Sequence, residues 1–202
     1  MSCQVFSGDA GVTLDAEARA IKYAADNGAV ILQCSWGYNS SLASIIEGYT
    51  PGPGSEEEWE SLYPLEKEAL DYFINNAGSP NGVIDGGLVI FASGNEYAGM
   101  PAFPGAYSKC VSVSAVAADF TPASYTDYGK EVTISAPGGD TEYYNPVGKD
   151  DPESWTDGIY SGSILSTWIQ NGTAAYGFMD GTSMACPHVS GVAALGLSYA
   201  VK

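Results

Sequence analysis

Basic residues are scarce in this 202-residue sequence, which has seven Lys and Arg against 24 Asp and Glu and a formal net charge of −17. A surface this acidic would repel a phosphate backbone, so no nucleic acid partner is expected. The charge is explained most simply by solubility. Calcium ligation is the alternative, but no Asp-x-Asp-x-Asp-Gly loop makes it specific. We therefore predict no required cofactor and no metal site, and structural calcium stays open.

Long apolar runs are absent as well. No segment approaches the roughly 18 consecutive apolar residues that can span a membrane, so no membrane span is predicted. The first residues have neither the basic start nor the apolar core of a signal peptide. If the native product is exported, we expect its signal to lie upstream of Met1.

Closely spaced cysteines are also missing. The four cysteines, Cys3, Cys34, Cys110 and Cys186, include no C-x-x-C pair, which argues against a zinc or redox motif. The last three lie in apolar runs and are predicted to be buried free thiols.

What the sequence does contain is 45% apolar residues and 25 glycines, enough for one core with many tight turns. Helical and strand-like apolar patterns alternate, which favours an α/β fold with a mainly parallel sheet covered by helices. Residues 38–56 are predicted to be a surface loop and residues 138–162 to be irregular. The predicted helices cover residues 14–27, about 64–76 and 183–201, and the predicted strands cover residues 29–35, 88–92, 109–116 and 132–136.

One segment near the carboxyl terminus, Gly181-Thr-Ser-Met-Ala-Cys-Pro-His-Val-Ser-Gly191, places a serine at the start of an apolar helix. Backbone N–H groups at a helix start are unpaired and carry partial positive charge. Ser183 could therefore attack a carbonyl while its own N–H holds the developing oxyanion. An ordinary N-cap serine is the alternative.

A second segment is a buried strand, Leu88–Ala92, that runs directly into Ser93-Gly94-Asn95. An asparagine at such a strand end can direct its amide N–H groups into a site above the sheet. Taken alone, Gly-Asn after a strand is more often a turn.

Together the two segments resemble the nucleophile motif and the Ala-x-Gly-Asn segment of the subtilases, the subtilisin-like serine peptidases. The resemblance implies a three-layer α/β/α fold and a serine endopeptidase acting on polypeptides. It assigns Ser183 as nucleophile and Asn95 as oxyanion donor, and it suggests a secreted or cell-surface parent protein. It extends over the chain as a single partial domain, residues 1–202, apart from an insertion-like surface stretch at about 39–86.

The same resemblance suggests where a substrate binds. Val30–Gly37 is similar to a family strand that ends in Ser-x-Gly and pairs with an extended substrate. A simple strand end explains this pattern equally well. Phe103–Pro104 is a candidate cis peptide bond. The candidate substrate-binding residues are Ser35, Trp36, Gly37, Ala92, Ser93 and Gly94.

The family's Asp-[Ser/Thr]-Gly and His-Gly-Thr-His-Val segments, which supply the acid and the base, are absent from the sequence. The one histidine, His188, follows Ser183 by five residues, about 140° around a helix, and is predicted to be structural. We therefore expect a fragment, incomplete at its N-terminal side and nearly inactive alone. Its uncovered sheet face should either promote self-association or be adapted to exposure. The alternative is a non-catalytic pseudo-peptidase or peptide-binding module. An α/β-hydrolase is disfavoured because no Gly-x-Ser-x-Gly elbow occurs.

Overall fold

A computed structural model describes residues 1–6, 14–43, 48–78, 82–141 and 162–200. None of the helices in these ranges is both long enough and apolar enough to cross a membrane. The elements are α1 (Leu14–Asp26), β1 (Ile31–Cys34), α2 (Glu56–Leu62), α3 (Pro64–Asn76), β2 (Leu88–Ala92), β3 (Val111–Val116), β4 (Ile134–Pro137), β5 (Ile164–Gln170), β6 (Thr173–Met179) and α4 (Thr182–Ala200).

Strands β1 to β4 form one parallel sheet in the order β1-β2-β3-β4. Parallel neighbours need crossover connections, and α2 and α3 provide the one between β1 and β2. The carboxyl ends of β1 and β2 therefore meet at the same edge of the sheet, with Cys34 opposite Phe91. The predicted α/β fold with a parallel sheet is confirmed.

The core has one apolar cluster on each side of β2, because alternate residues of a strand face opposite sides. On one side Phe91 packs with α1 and α3. On the other side Ile90 and Val113 pack with Ala185 and Cys186 of α4. Both faces of the sheet are therefore covered at β2, whereas Ile134 on the edge strand β4 is 47% exposed and β1 on the other edge is partly buried.

Helix α2 was not predicted. Ser55 caps it by accepting the Glu58 N–H at 3.2 Å, and three acidic residues in its first turn favour the helix dipole. Its sequence shows no apolar stripe because only Trp59 is buried. Trp59, Leu70 and Phe73 are all 0% exposed, so the stretch 39–86 is not simply a surface insertion. The assignment of residues 1–202 to one domain stays a prediction.

The antiparallel hairpin β5–β6 was also missed. Its turn is Asn171-Gly172, whose φ values of 50° and 76° are those of a type I′ turn. An Asn-Gly pair between two strand-forming runs is a strong hairpin signal that the sequence did offer. Of the predicted irregular segment 138–162, residues 142–161 lie outside the described residues.

Cys34, Cys110 and Cys186 are buried and free, as predicted, and Cys3 is free and exposed. Burial raises the pKa of the Cys110 and Cys186 thiols, so both are poor nucleophiles. The Phe103–Pro104 peptide bond is cis, as the sequence suggested.

Candidate active site

Ser183 is the second residue of α4 and lies half-buried at the edge where β1 and β2 end. The turn before it is anchored because the Gly181 N–H donates to the Gly138 carbonyl at 2.9 Å. Gly181 has a φ of +153°, which L side chains rarely adopt. The Met184 and Ala185 N–H groups close the first turn on the Gly181 carbonyl. The Ser183 N–H has no acceptor among the described residues, so it is available to a ligand.

The Ser183 hydroxyl donates to the Ser35 carbonyl at 3.3 Å, and the Ser35 hydroxyl donates to the Ser183 carbonyl at 2.8 Å. This reciprocal pair joins the end of β1 to the start of α4. Ser35, predicted to bind substrate, thus also holds the nucleophile. A carbonyl oxygen cannot serve as a general base for a serine hydroxyl.

Asn95 follows β2 and contacts the residue before Ser183. Its Oδ1 accepts both the Thr182 N–H and the Thr182 hydroxyl, each at 2.9 Å. Because Oδ1 is occupied in this way, the two Nδ2 protons remain as donors, and no described residue accepts them. The structure therefore brings together the two predicted oxyanion donors, Asn95 and the Ser183 N–H, at the start of one helix.

The other predicted substrate-binding residues divide into accessible and inaccessible ones. Gly37 is exposed, and Trp36 is half-buried with its ring edge-on to Phe91 at 5.1 Å. Gly94 is half-buried and bonds through its backbone to the Thr182 hydroxyl at 3.3 Å. These three positions can border a bound peptide.

Ser93 and Ala92 are the less accessible predicted positions, and their assignment to substrate binding stays a prediction. Ser93 is 0% exposed and Ala92 8%. The Ser93 N–H donates to Val113 at 2.9 Å, and its carbonyl accepts from Ala102 at 2.7 Å. With both backbone groups paired and no exposed surface, Ser93 supports the loop that carries Asn95.

His188 lies one turn beyond Met184 on α4, and its Nδ1 is 2.8 Å from the Met184 carbonyl oxygen. The side chain is exposed and bonds to its own helix. No His, Asp or Glu side chain in the described ranges hydrogen-bonds the Ser183 hydroxyl.

Asp127 is a site-supporting residue that sequence reasoning missed. It is 0% exposed, and its Oδ1 accepts the N–H groups of Glu96 at 3.0 Å and Ala98 at 2.8 Å, both just after Asn95 in the site loop. Burial and the neighbouring Glu96 carboxyl raise the pKa of Asp127 to about 8. The local sequence around Asp127 carries no signal for this role, because its partners lie about 30 residues away.

A serine at a helix start beside two N–H donors, at the carboxyl edge of a parallel sheet, is an arrangement suited to a serine peptidase of the α/β class. The family model described as "Subtilase family" matches residues 1–202. The chain belongs to the subtilase family.

Named relatives agree with the family. Subtilisin Savinase of Lederbergia lenta is 31% identical over 188 residues, 92% of this chain and 55% of the relative. The calcium-dependent protease of Nostoc sp. is 31% identical over 201 residues, 90% of this chain and 26% of the relative. A solved protease structure from Pseudoalteromonas arctica has a TM-score of 0.65 at 25% identity, covering 92% of this chain and 46% of the other. The fold is thus subtilisin-like, and the chain spans only part of each relative.

Calcium dependence belongs to the name of the Nostoc relative. In the described part of this chain, no group of three or more His, Cys, Asp or Glu side chains could hold a metal ion. The structure therefore assigns no residue to calcium.

Proposed function

We propose that this chain carries the nucleophile and the oxyanion donors of a subtilisin-type serine endopeptidase. The observation that carries the proposal is the double hydrogen bond from Thr182 to Asn95 Oδ1, at 2.9 Å each. This contact holds the Asn95 amide beside the nucleophile and directs its two N–H groups away from Thr182. A helix start with a serine alone would not account for it.

The geometry supports acyl transfer. Ser183 Oγ would bond to the carbonyl carbon of an extended peptide while a base takes the hydroxyl proton. The carbonyl oxygen, becoming an oxyanion, would accept from the Ser183 N–H and from Asn95 Nδ2. Return of the proton to the amide nitrogen breaks the C–N bond and releases the amine, and water then hydrolyses the acyl-enzyme.

The base and its orienting acid are proposed to come from a segment outside these 202 residues. Strand β1 pairs only with β2 in the described sheet, so its other edge has no strand partner among the described residues. A parallel strand added there would end beside Ser35, which contacts Ser183. A cavity of about 520 Å³ lies next to this edge, lined in part by Val5, Ile21 and Leu32. By itself the chain is proposed to be nearly inactive.

Labelling with a fluorophosphonate tests the proposal. We expect slow labelling of the isolated chain and rapid, stoichiometric labelling of Ser183 in the longest native product. The Ser183→Ala variant of that product is the control and should not label. Rapid labelling of the isolated chain would refute the need for an external base.

A second function is favoured by one observation, the donation of the Ser183 hydroxyl to a carbonyl and not to a base. It is a non-catalytic peptide-binding module that uses the edge at Ser35–Gly37. Tight binding of extended peptides by the longest native product, with neither cleavage nor labelling, would establish this alternative over the peptidase.

A further inference from the structure

The loop that presents Asn95 is held in part by a buried side chain. Asp127 Oδ1 accepts the N–H groups of Glu96 and Ala98, and the Asp127 N–H donates to the Gly94 carbonyl at 3.1 Å. Asp127 thus bonds to Gly94 and Glu96, which flank Asn95, and to Ala98 further along the loop. The loop is also held by the Tyr97 N–H, which donates to the Tyr125 carbonyl at 2.8 Å, and by the Ala98 carbonyl, which accepts from the Tyr128 N–H at 2.9 Å. The Asp127 carboxylate adds to these backbone contacts.

The second oxygen of Asp127 faces another carboxyl group. Asp127 Oδ2 and Glu96 Oε2 are both buried, and neither has a hydrogen-bond partner among the described residues. A Cβ added to Gly94 would collide with Asp127 Oδ2 and would lie 2.7 Å from Glu96 Oε2, so both oxygens adjoin the same glycine. Two ionised carboxylates at such a position would repel each other without a donor between them.

One proton between the two oxygens removes this conflict, since it makes one carboxyl a donor and leaves the other an acceptor. We propose that Asp127 is a positioning residue that fixes the Asn95 loop, and that it does so while its carboxyl shares one proton with Glu96. The significance of the loop rests on the proposed function, whereas the hydrogen bonds and the shared proton do not.

The surroundings offer no other charge that could balance the pair. No Lys, Arg or His in the described ranges forms a salt bridge with Asp127 or Glu96, and Glu96 is the charged group that acts on Asp127. The other titratable groups of these two segments are Tyr97, Tyr125 and Tyr128. Helix α4 contributes only the uncharged Thr182.

The proposal gives a pH dependence with a defined sign. Burial and Glu96 raise the pKa of Asp127 from 3.8 to about 8. A group whose pKa is raised by folding stabilises the folded form fully below its unfolded pKa, and the effect is lost as pH rises through the folded pKa. The loop should therefore be ordered at neutral pH and should loosen as pH rises past about 8.

Hydrogen exchange of the Glu96 and Ala98 amides, measured by NMR as protection factors against pH, tests this in the chain itself. In the wild type we expect protection to fall about tenfold above the transition, the size expected when a buried hydrogen bond is lost. The Asn95 side-chain amide signal should shift over the same pH range. The α1 amides provide the internal control for global unfolding.

Three variants separate positioning from simple packing. Asp127→Asn keeps an acceptor for the two amides and provides a donor to ionised Glu96, so protection should persist at high pH. Glu96→Gln should behave in the same way, because its amide can donate to ionised Asp127. Asp127→Ala should lose protection at every pH; if it fails to fold, the first two variants still decide.

Undiminished protection in a folded Asp127→Ala variant would overturn the positioning role. A wild-type profile without a transition, or one in which added calcium chloride restores protection at high pH, would overturn the shared proton. None of these outcomes depends on Ser183. A failure of fluorophosphonate labelling would therefore count against the proposed function and leave this inference untouched.

Discussion

Thr182 is the residue that connects the Ser183 segment to the Asn95 segment by hydrogen bonds. It is 0% exposed, and its hydroxyl donates to Asn95 Oδ1 and accepts the Gly94 N–H. Its N–H, one of the unpaired donors of a helix start, is satisfied by the same Asn95 oxygen. One threonine thus connects the nucleophile to the residue that would stabilise its product.

Replacing Thr182 by Val keeps the shape and removes the hydroxyl. We expect a loss of about 1–3 kcal/mol in unfolding free energy, because the half-buried Gly94 N–H and the Asn95 Oδ1 each lose a hydrogen-bond partner. Urea denaturation measures this loss. Thr121→Val is the matched control, since its hydroxyl is bonded to Asp119 on the exposed surface. Equal effects of the two substitutions would contradict the role given to Thr182.

A second residue with a defined consequence is Glu66, which is 0% exposed and accepts from Trp59 Nε1 at 2.8 Å. Burial raises its pKa from 4.5 to about 7. Its stabilising effect is complete below pH 4.5 and is lost as pH rises through about 7.

The Glu66→Gln variant cannot ionise, so it should gain stability relative to the wild type as pH rises from 4.5 to above 7. The gain should be on the order of 2 kcal/mol. Unfolding free energies across this range give the measurement. Glu68→Gln, on the exposed face of the same helix, should leave the wild-type profile unchanged. A constant difference between Glu66→Gln and wild type at all pH values would show that the buried carboxyl does not titrate.

At the scale of elements, two glycines with open surroundings differ only in backbone conformation. A Cβ at Gly172 or at Gly191 would meet no atom within 4 Å, but Gly172 has a φ of +76° in the β5–β6 turn while Gly191 lies within α4. Space therefore does not distinguish them, and any difference comes from the backbone.

Gly172→Ala should weaken the hairpin by about 1 kcal/mol, seen as faster amide exchange in β5 and β6. Gly191→Ala should stabilise the protein by about 0.5–1 kcal/mol in urea denaturation, because alanine loses less backbone entropy in a helix. Effects of the same sign at both positions would be inconsistent with the turn geometry.

The elements predicted from the sequence are those whose apolar pattern along the chain matches their burial in the fold. Strand β2 is a continuous apolar run, β1 and β3 are largely apolar, and α4 follows a recognisable glycine turn, so each was located within a few residues. Helix α2 was missed because a single buried Trp59 produces no periodicity. In the site, Ser183 and Asn95 lie in motifs, whereas Asp127 acquires its role only when the fold brings distant amides to it.

At the scale of the whole molecule, the exposed apolar surface lies mainly on the outside of α4 and on the hairpin. Val192, Leu195 and Tyr199 are 70%, 73% and 82% exposed. On the hairpin, Ile169 and Tyr176 are 73% and 76% exposed. Large apolar side chains exposed in this way favour association.

We therefore expect the isolated chain to self-associate as its concentration rises, which sedimentation velocity will detect. Leu195→Glu should reduce association by placing a charge on the outer face of α4. Ser190→Glu on the same helix is the control. Ser190 is half-buried, its hydroxyl donates to the Cys186 carbonyl, and it is not one of the exposed apolar residues of α4. A monomer at all concentrations would show that the exposed α4 face does not associate.

The four thiols provide an intrinsic measure of unfolding, because their accessibility to a thiol reagent differs. In the native chain only Cys3 is exposed, while Cys34, Cys110 and Cys186 are buried in three separate elements or connections. A bulky disulfide reagent should therefore titrate one thiol at once and the remaining three only as the structure opens. Cys186 is three residues after Ser183 on α4, and its thiol contacts the Cys34 carbonyl at the end of β1. The rates at which these two thiols are modified would therefore report how often the contact between α4 and β1 opens.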